Sequence, residues 1–238
     1  MSNVFAIARR EFQGYFNSLI AYVFLVIYLL LTNWLFFRVF FLNGQANMRL
    51  MFDIIPWVFL FFVPAITMRL WAEEKKIGTM ELLMTLPVKD GEAVLGKFTA
   101  ALGLLGLALA LTFPLPVIVS TVGNLDWGPV FGGYLGSILI GAAYLSIGVF
   151  ISSLTENQIV AFILSVVGIF ALYMIGSDIV VFSLPSSMAP IMEYLSLGTH
   201  FESIGRGVID LRDIVYYLSV IVFFLYLNVR SIESRKWR

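Results

Sequence analysis

Cysteine is missing from the 238 residues, which excludes disulfides, thiolate chemistry and Cys-ligated metals without fixing the compartment. Charge is scarce, at 13% of residues, and balanced: 15 Lys and Arg against 15 Asp and Glu. That balance argues against a nucleic-acid partner, because counterion release needs Lys and Arg clustered against phosphates. Histidine occurs once, at His200. With no neighbouring ligand set and no acid evident to form a dyad with a serine, His200 reads as a polar residue in the first turn of a surface helix. No Gly-x-x-x-x-Gly-Lys-Ser/Thr segment is present, so any nucleotide must be hydrolysed on another polypeptide. No Gly-x-Ser-x-Gly elbow occurs either. Span centres lack the carboxylate or histidine that ion-coupled carriers place at mid-membrane; Asp53, Glu156 and Asp178 fall at span ends.

What the chain has in quantity is apolar surface. At 60% hydrophobic and a mean hydropathy of +0.94, it carries more than one core of this length can hide from water. It is an all-α integral membrane protein in expectation, with six spans: Leu19 to Phe41, Phe52 to Leu70, Gly96 to Thr121, Phe131 to Ser153, Ile159 to Ser177 and Ile214 to Val229. The first apolar run continues past the length of a signal peptide and has no small-residue cleavage site, so it stays as a span. An even count places both termini on one side. With that side inside, eleven Lys and Arg (Arg9, Arg10, Arg69, Lys75, Lys76, Lys89, Lys97, Arg230, Arg235, Lys236 and Arg238) face the cytoplasm against Arg38, Arg49, Arg206 and Arg212 outside, as the positive-inside rule requires. Trp71, Trp127 and Trp237 sit at expected membrane boundaries as anchors. The expected domain plan is an amphipathic helix over 1–18, a permease domain over 19–230 and a cytoplasmic tail over 231–238.

Three local patterns add detail. Val4, Phe5, Ala8, Phe12, Tyr15 and Phe16 recur at helical spacing opposite Arg9, Arg10 and Gln13, the signature of a helix lying on the inner leaflet. Pro64, Pro114 and Pro116 should bend or break the second and third spans. Gly133, Ser137 and Gly141, beside Gly132 and Gly136, form a small-residue stripe suited to close helix approach, in this chain or a second copy.

Charge concentrates in one place. Arg69 to Lys97 holds five basic and five acidic residues. Arg69 to Ile77 should prolong the second span; Gly78 breaks it, Thr79 caps a new turn, Glu81 suits the positive end of a short helix over Met80 to Leu86, and Pro87 stops it. Met80, Leu83 and Met84 group into an apolar knob flanked by Glu73, Glu74, Lys75 and Lys76, the form of a surface for a soluble partner. The segment 178–213 is apolar yet broken by Pro185, Pro190, Gly198, Gly205 and Gly207, which fits two short helices on or in the outer leaflet. Thr199 with Glu202 reads as a capping box, and Asp210 with Asp213 as the start of the last span.

Two motifs carry a resemblance. Glu73-Glu74-Lys75-Lys76-Ile77-Gly78-Thr79-Met80-Glu81-Leu82-Leu83, followed by Pro87 and Lys97-Phe98, resembles the coupling-helix signature of type-II ABC exporter permeases. Leu197-Gly198-Thr199-His200-Phe201-Glu202-Ser203-Ile204-Gly205-Arg206-Gly207 and Asp210 to Asp213 resemble the gliding-motility-type branch. The resemblance implies an N-terminal elbow helix, six spans, a coupling loop over 71–96 and a re-entrant hairpin over 178–213. It assigns Glu73, Glu74, Gly78, Thr79, Met80, Glu81, Leu82, Leu83 and Met84 to an ATPase-facing element, and Phe201, Arg206, Gly207 and Asp210 to the outer hairpin. It also implies a non-catalytic chain of the bacterial inner membrane, binding no cofactor itself. ATP and Mg would be held by two copies of a cytoplasmic ATPase, alongside a second permease copy and a membrane-anchored auxiliary protein. The alternative reading is a non-transporting membrane scaffold through which the ATPase drives that auxiliary protein. Few polar residues lie inside the spans (Thr32, Asn33, Thr67, Thr112, Ser146, Ser165), so an amphiphilic cargo, or none, suits the chain better than a wide aqueous pore.

Overall fold

A computed structural model describes residues 3–80, 88–183, 185, 187–208 and 210–234. Among these no strand occurs. The helices in chain order are α1 (Asn3–Phe16), α2 (Leu19–Asn43), α3 (Arg49–Thr67), α4 (Ala72–Ile77), α5 (Asp90–Ala110), α6 (Pro114–Val122), α7 (Trp127–Leu154), α8 (Gln158–Met174), α9 (Asp178–Val181), α10 (Ala189–Leu195), α11 (Leu197–Gly205) and α12 (Leu211–Glu233). Five stretches are long and apolar enough to cross a membrane: Leu19–Leu42, Arg49–Ile77, Asp90–Val122, Trp127–Leu154 and Leu211–Glu233. The sixth expected span is α8, whose 17 residues extend about 25 Å at 1.5 Å per residue.

Helix α7 is the centre of the bundle, with 72% of its most apolar window buried against 28% for α2. Its glycines explain this. A Cβ on Gly141 would sit 2.9 Å from Leu105 of α5, and one on Gly136 would sit 2.7 Å from Ile204 of α11; Gly133 and Gly148 face Phe52 and Thr67 of α3. The small-residue stripe is therefore consumed by neighbours within the same chain, where close backbone approach yields the packing that holds helices together in lipid.

The prolines behave in two ways. Helix α3 runs through Pro56 and Pro64 without interruption. The third crossing does break, at Leu111–Phe113 between α5 and α6. There the Ala110 and Thr112 carbonyls, which Pro114 and Pro116 leave without their usual donors, accept instead from the Phe113 and Leu115 N–H groups at 3.1 and 3.0 Å, so local partners are found; the Thr112 hydroxyl donates to the Leu109 carbonyl at 2.7 Å and meets the Tyr134 hydroxyl at 3.1 Å.

Ends are set by capping side chains. Asp126, Asn157 and Asp210 accept backbone N–H groups at the starts of α7, α8 and α12. The cap of α11 is Ser196, whose Oγ accepts from Gly198 and Thr199 and donates to the Tyr173 carbonyl at 2.9 Å. This corrects the expected capping box: Thr199 lies inside the helix and donates to the Glu193 carbonyl at 2.6 Å. A serine one turn earlier, bonded to two elements, prevails over the local Thr-x-x-Glu pattern.

Candidate functional site

The charged segment after the second crossing folds back onto the bundle. Helix α3 ends at Thr67 and a turn follows over 68–71, where the chain needs outside partners for its backbone. Ser152 of α7 supplies them: its Oγ accepts from the N–H groups of Trp71 and Ala72, both at 3.2 Å, and donates to the Met68 carbonyl at 3.1 Å. Helix α4 starts at that point with Glu73 and Glu74 in its first turn and Lys75 and Lys76 in its last, the order that favours a helix dipole. Gly78 closes it at φ 80°, its N–H bonded back into the helix, a left-handed cap that glycine adopts without penalty.

Around α4 the charges are internally paired. Arg69 grips Glu73 with two nitrogens at 2.8 and 3.2 Å. Lys97 of α5 is only 1% exposed; its Nζ lies 2.6 Å from Glu74 and 3.1 Å from Glu11 of α1, and 4.9 Å from the centroid of the Trp71 ring. An ammonium so enclosed is tolerable only when paired on several sides. Lys75 donates to the Ser153 carbonyl, and Ser153 Oγ donates to Ser231 of α12 at 3.1 Å. Five helices, α1, α4, α5, α7 and α12, thus meet in one polar cluster. Four polar groups there have buried atoms without a hydrogen-bond partner among the described residues: Glu74 Oε2, Trp71 Nε1, the Tyr15 hydroxyl and, further along α12, the Asn228 amide. Burial also pushes the Tyr15 phenol well above its ordinary range, with the Glu11 charge adding to the rise and Arg69 opposing it, so this hydroxyl stays neutral.

Glu74 therefore shares Lys97 with partners that sequence reasoning missed, Glu11 and the ring of Trp71, and Ser152 holds the start of its helix, while Glu73 pairs with Arg69 and Gly78 closes α4. The expected role of Trp71 as a boundary anchor is corrected, since the indole is 1% exposed and serves as a floor beneath an ammonium. Thr79 donates back to the Glu74 carbonyl at 3.4 Å. Met80 is 5% exposed and joins the core, so its side chain faces the bundle. Glu81, Leu82, Leu83 and Met84 lie outside the described residues, as do Leu86, Pro87 and Trp237.

At the opposite end, Phe201 is buried against Gly136 of α7, and the Arg206 Nε donates to the Glu202 carbonyl at 3.0 Å. Gly207 has φ 87° and lies so near Pro129 that a Cβ would fall 2.7 Å from its Cα. His200 lies in the first turn of α11 and is partly buried, its side chain 12% exposed. Its Nδ1 lies 2.7 Å from Asp213, its Nε2 lies 3.0 Å from the Tyr194 carbonyl, and its ring stacks on Tyr216 at 3.9 Å between centroids. The acid thought to be lacking is Asp213, brought over by the fold from the first turn of α12. Ser203 donates to the same carboxylate and not to the imidazole, so the three form a clasp and no nucleophilic relay. Tyr216 and Tyr217 add hydroxyl bonds to the Leu195 and Leu197 carbonyls at 2.6 and 2.7 Å.

Three polar residues inside the spans bond to their own helices, whereas Thr112 meets Tyr134 of α7 and the buried Ser165 hydroxyl has no hydrogen-bond partner among the described residues. Asn33 donates to Leu29, Thr67 to Val63 and Ser146 to Ala143.

A comparison with curated proteins returns no match. A protein-family model described as ABC-2 family transporter protein covers residues 5–229, from the first turn of α1 to most of the last crossing. The chain is therefore a member of the ABC-2 transporter family, the multi-pass membrane components of ABC transporters.

Proposed function

We propose that the chain is the permease of an ATP-driven exporter of the gliding-motility-type branch, lying in the bacterial inner membrane with both termini in the cytoplasm. The observation that carries this reading is the polar cluster. Helix α4 is bonded directly to α5 and α7, and through Lys97 and Ser153 of those helices to α1 and α12, so a force on the loop beyond Gly78 reaches the crossings through hydrogen bonds. In this reading α1 is an elbow on the inner leaflet, α9 to α11 form a re-entrant hairpin in the outer one, and residues 79–87 dock into an ATPase dimer. Glu81, Leu82, Leu83 and Met84 present the docking face, while Glu73 and Glu74 tie it to the bundle. ATP and Mg belong to that partner. Two permease copies rearrange as the dimer closes, and an auxiliary membrane-anchored protein completes the assembly. Moving a minor state to a dominant one takes a bias of about 5.5 kcal/mol.

The test is reconstitution of the permease with the ATPase encoded beside it. Glu81→Lys and Leu83→Asp should insert normally and abolish the permease-dependent rise in ATP hydrolysis. Unchanged stimulation in both would overturn the docking assignment.

A second reading is favoured by Asn33, Thr67 and Ser146, span residues whose side chains bond to the backbone of their own helices. Here nothing crosses, and the ATPase drives the auxiliary protein through the permease as a scaffold. Vesicles that hydrolyse ATP and change the auxiliary protein's conformation while moving no lipid or amphiphile would select it.

A further inference from the structure

Both ring nitrogens of His200 are engaged. Nε2 lies 3.0 Å from the Tyr194 carbonyl of α10, a group that can only accept, so Nε2 carries a hydrogen. Nδ1 lies 2.7 Å from Asp213 Oδ1 in the first turn of α12. The other oxygen of that carboxylate takes the Ser203 hydroxyl. A neutral imidazole has one N–H and one lone pair; with the N–H spent on Tyr194, Nδ1 would set its lone pair against a carboxylate. One further proton resolves the conflict, carried on Nδ1 as an imidazolium or on Oδ1 as a carboxylic acid. The geometry is therefore that of a pair holding one proton between them.

The surroundings offer no substitute for that proton. The two side chains are 12% and 10% exposed, and among the described residues no Lys or Arg forms an ion pair with Asp213. From α10 the ring of Tyr194 stands edge-on to the imidazole at 5.7 Å. From α12 Tyr216 stacks on it at 3.9 Å, and the Tyr217 hydroxyl is committed to the Leu197 carbonyl. Glu193 of α10, Glu202 and Arg206 of α11 and Arg212 of α12 are exposed. Helix α8 brings Tyr173, on which the charges of Glu202 and of Asp53 from α3 act, and α7 meets α11 through Gly132 and Gly136.

We infer that His200 and Asp213 form a proton-operated latch: with the proton held, α10 and α11 are fastened to α12, and its release to water loosens them. Histidine is the side chain whose charge ordinarily changes between about pH 5 and 8. The latched state binds one proton more than the open one, so the latch weakens as pH rises, by up to about tenfold per pH unit. The Tyr216 and Tyr217 hydroxyls hold the Leu195 and Leu197 carbonyls at 2.6 and 2.7 Å without that proton, so release loosens the segment and does not detach it. The latch stands apart from ATPase coupling and holds whichever side of the membrane the segment faces.

Amide hydrogen exchange of the full chain in detergent, where both faces meet one buffer, tests it at about pH 5.5 and about pH 8.5, either side of the usual histidine range. With rates corrected for the intrinsic effect of pH, protection over α10 and α11 should fall at least about tenfold at the higher pH, while α1 and α4 stay level. Asp213→Asn separates a proton latch from a merely structural contact. Its amide N–H can donate to Nδ1 of a neutral imidazole and its carbonyl can accept from Ser203, so no extra proton is needed, and its protection should be independent of pH. Equal protection of the native chain at both pH values, a loss spread evenly along the chain, or a pH dependence that persists in Asp213→Asn would overturn the latch. If Asp213→Asn fails to fold, nitrogen NMR of the native chain with ring-labelled histidine decides, because His200 is the only histidine. Ring signals that move in step with the loss of protection uphold the inference, and signals that stay fixed between the two pH values overturn it.

Discussion

Ser152 Oγ stands 3.2 Å from the backbone nitrogen of Trp71 and replaces the helical partner that the chain gives up as it leaves α3. One hydroxyl completes a turn in a distant segment, because the same oxygen also serves Ala72 and Met68. Ser152→Ala strands buried backbone groups, at a cost of about 1–3 kcal/mol. Thermal unfolding in detergent should show the loss. The same change at Ser219, whose hydroxyl bonds only to the Tyr216 carbonyl of its own helix, should fall well below it.

Lys97→Met should destabilise the fold by about 3 kcal/mol, the lower end for breaking a buried ion pair, since the carboxylates of Glu11 and Glu74 are about a quarter exposed and regain some water. Adding Glu74→Gln and Glu11→Gln to Lys97→Met should recover part of the loss, because the stranded charges then disappear. A triple variant no more stable than the single one would show that the cost lies in packing against Trp71. Denaturant titration of the native chain and these variants reads the difference.

His200→Phe preserves a ring over Tyr216 and removes both hydrogen bonds, to Asp213 and to Tyr194. The expected cost is about 1–3 kcal/mol, concentrated where α10 and α11 meet α12. Amide hydrogen exchange should rise over α10 and α11 and stay unchanged over α1 and α4. A uniform rise along the chain would contradict the clasp.

Gly207→Ala meets two obstacles, a φ of 87° and the Cα of Pro129. It should cost at least about 1–3 kcal/mol. Gly106→Ala is the counterpart: this glycine is in the interior of α5 with open space where a Cβ would stand, and the change should raise the melting temperature, alanine being about 1 kcal/mol better in a helix.

The crossings could be read from the sequence because apolar runs of membrane length have few alternatives, and the third one broke where Pro114 and Pro116 required. The small-residue stripe was visible too, but its partners were not, since nothing local tells Gly133 that Phe52 will face it. The site divided in the same way. Gly78 was legible as a stop because only glycine takes that conformation freely, and Glu73 and Glu74 stood out by charge. Glu11, Ser152 and Asp213 lay in unrelated segments, and their roles arise from tertiary proximity. Trp71 and His200 misled for one reason: each looks amphipathic alone, and each is met by a charge arriving from elsewhere in the chain, Lys97 for the one and Asp213 for the other.

Helix α7 runs 28 residues without a break, about 42 Å, whereas the third crossing is jointed at Thr112. One end of α7 holds the turn at Trp71 through Ser152, and the other touches Ile204 and Gly207 through Gly132. Both its ends are held by side-chain contacts, so under the proposed coupling a tilt imposed beside α4 should be carried to α11, while the same push on α5 should be absorbed in the joint.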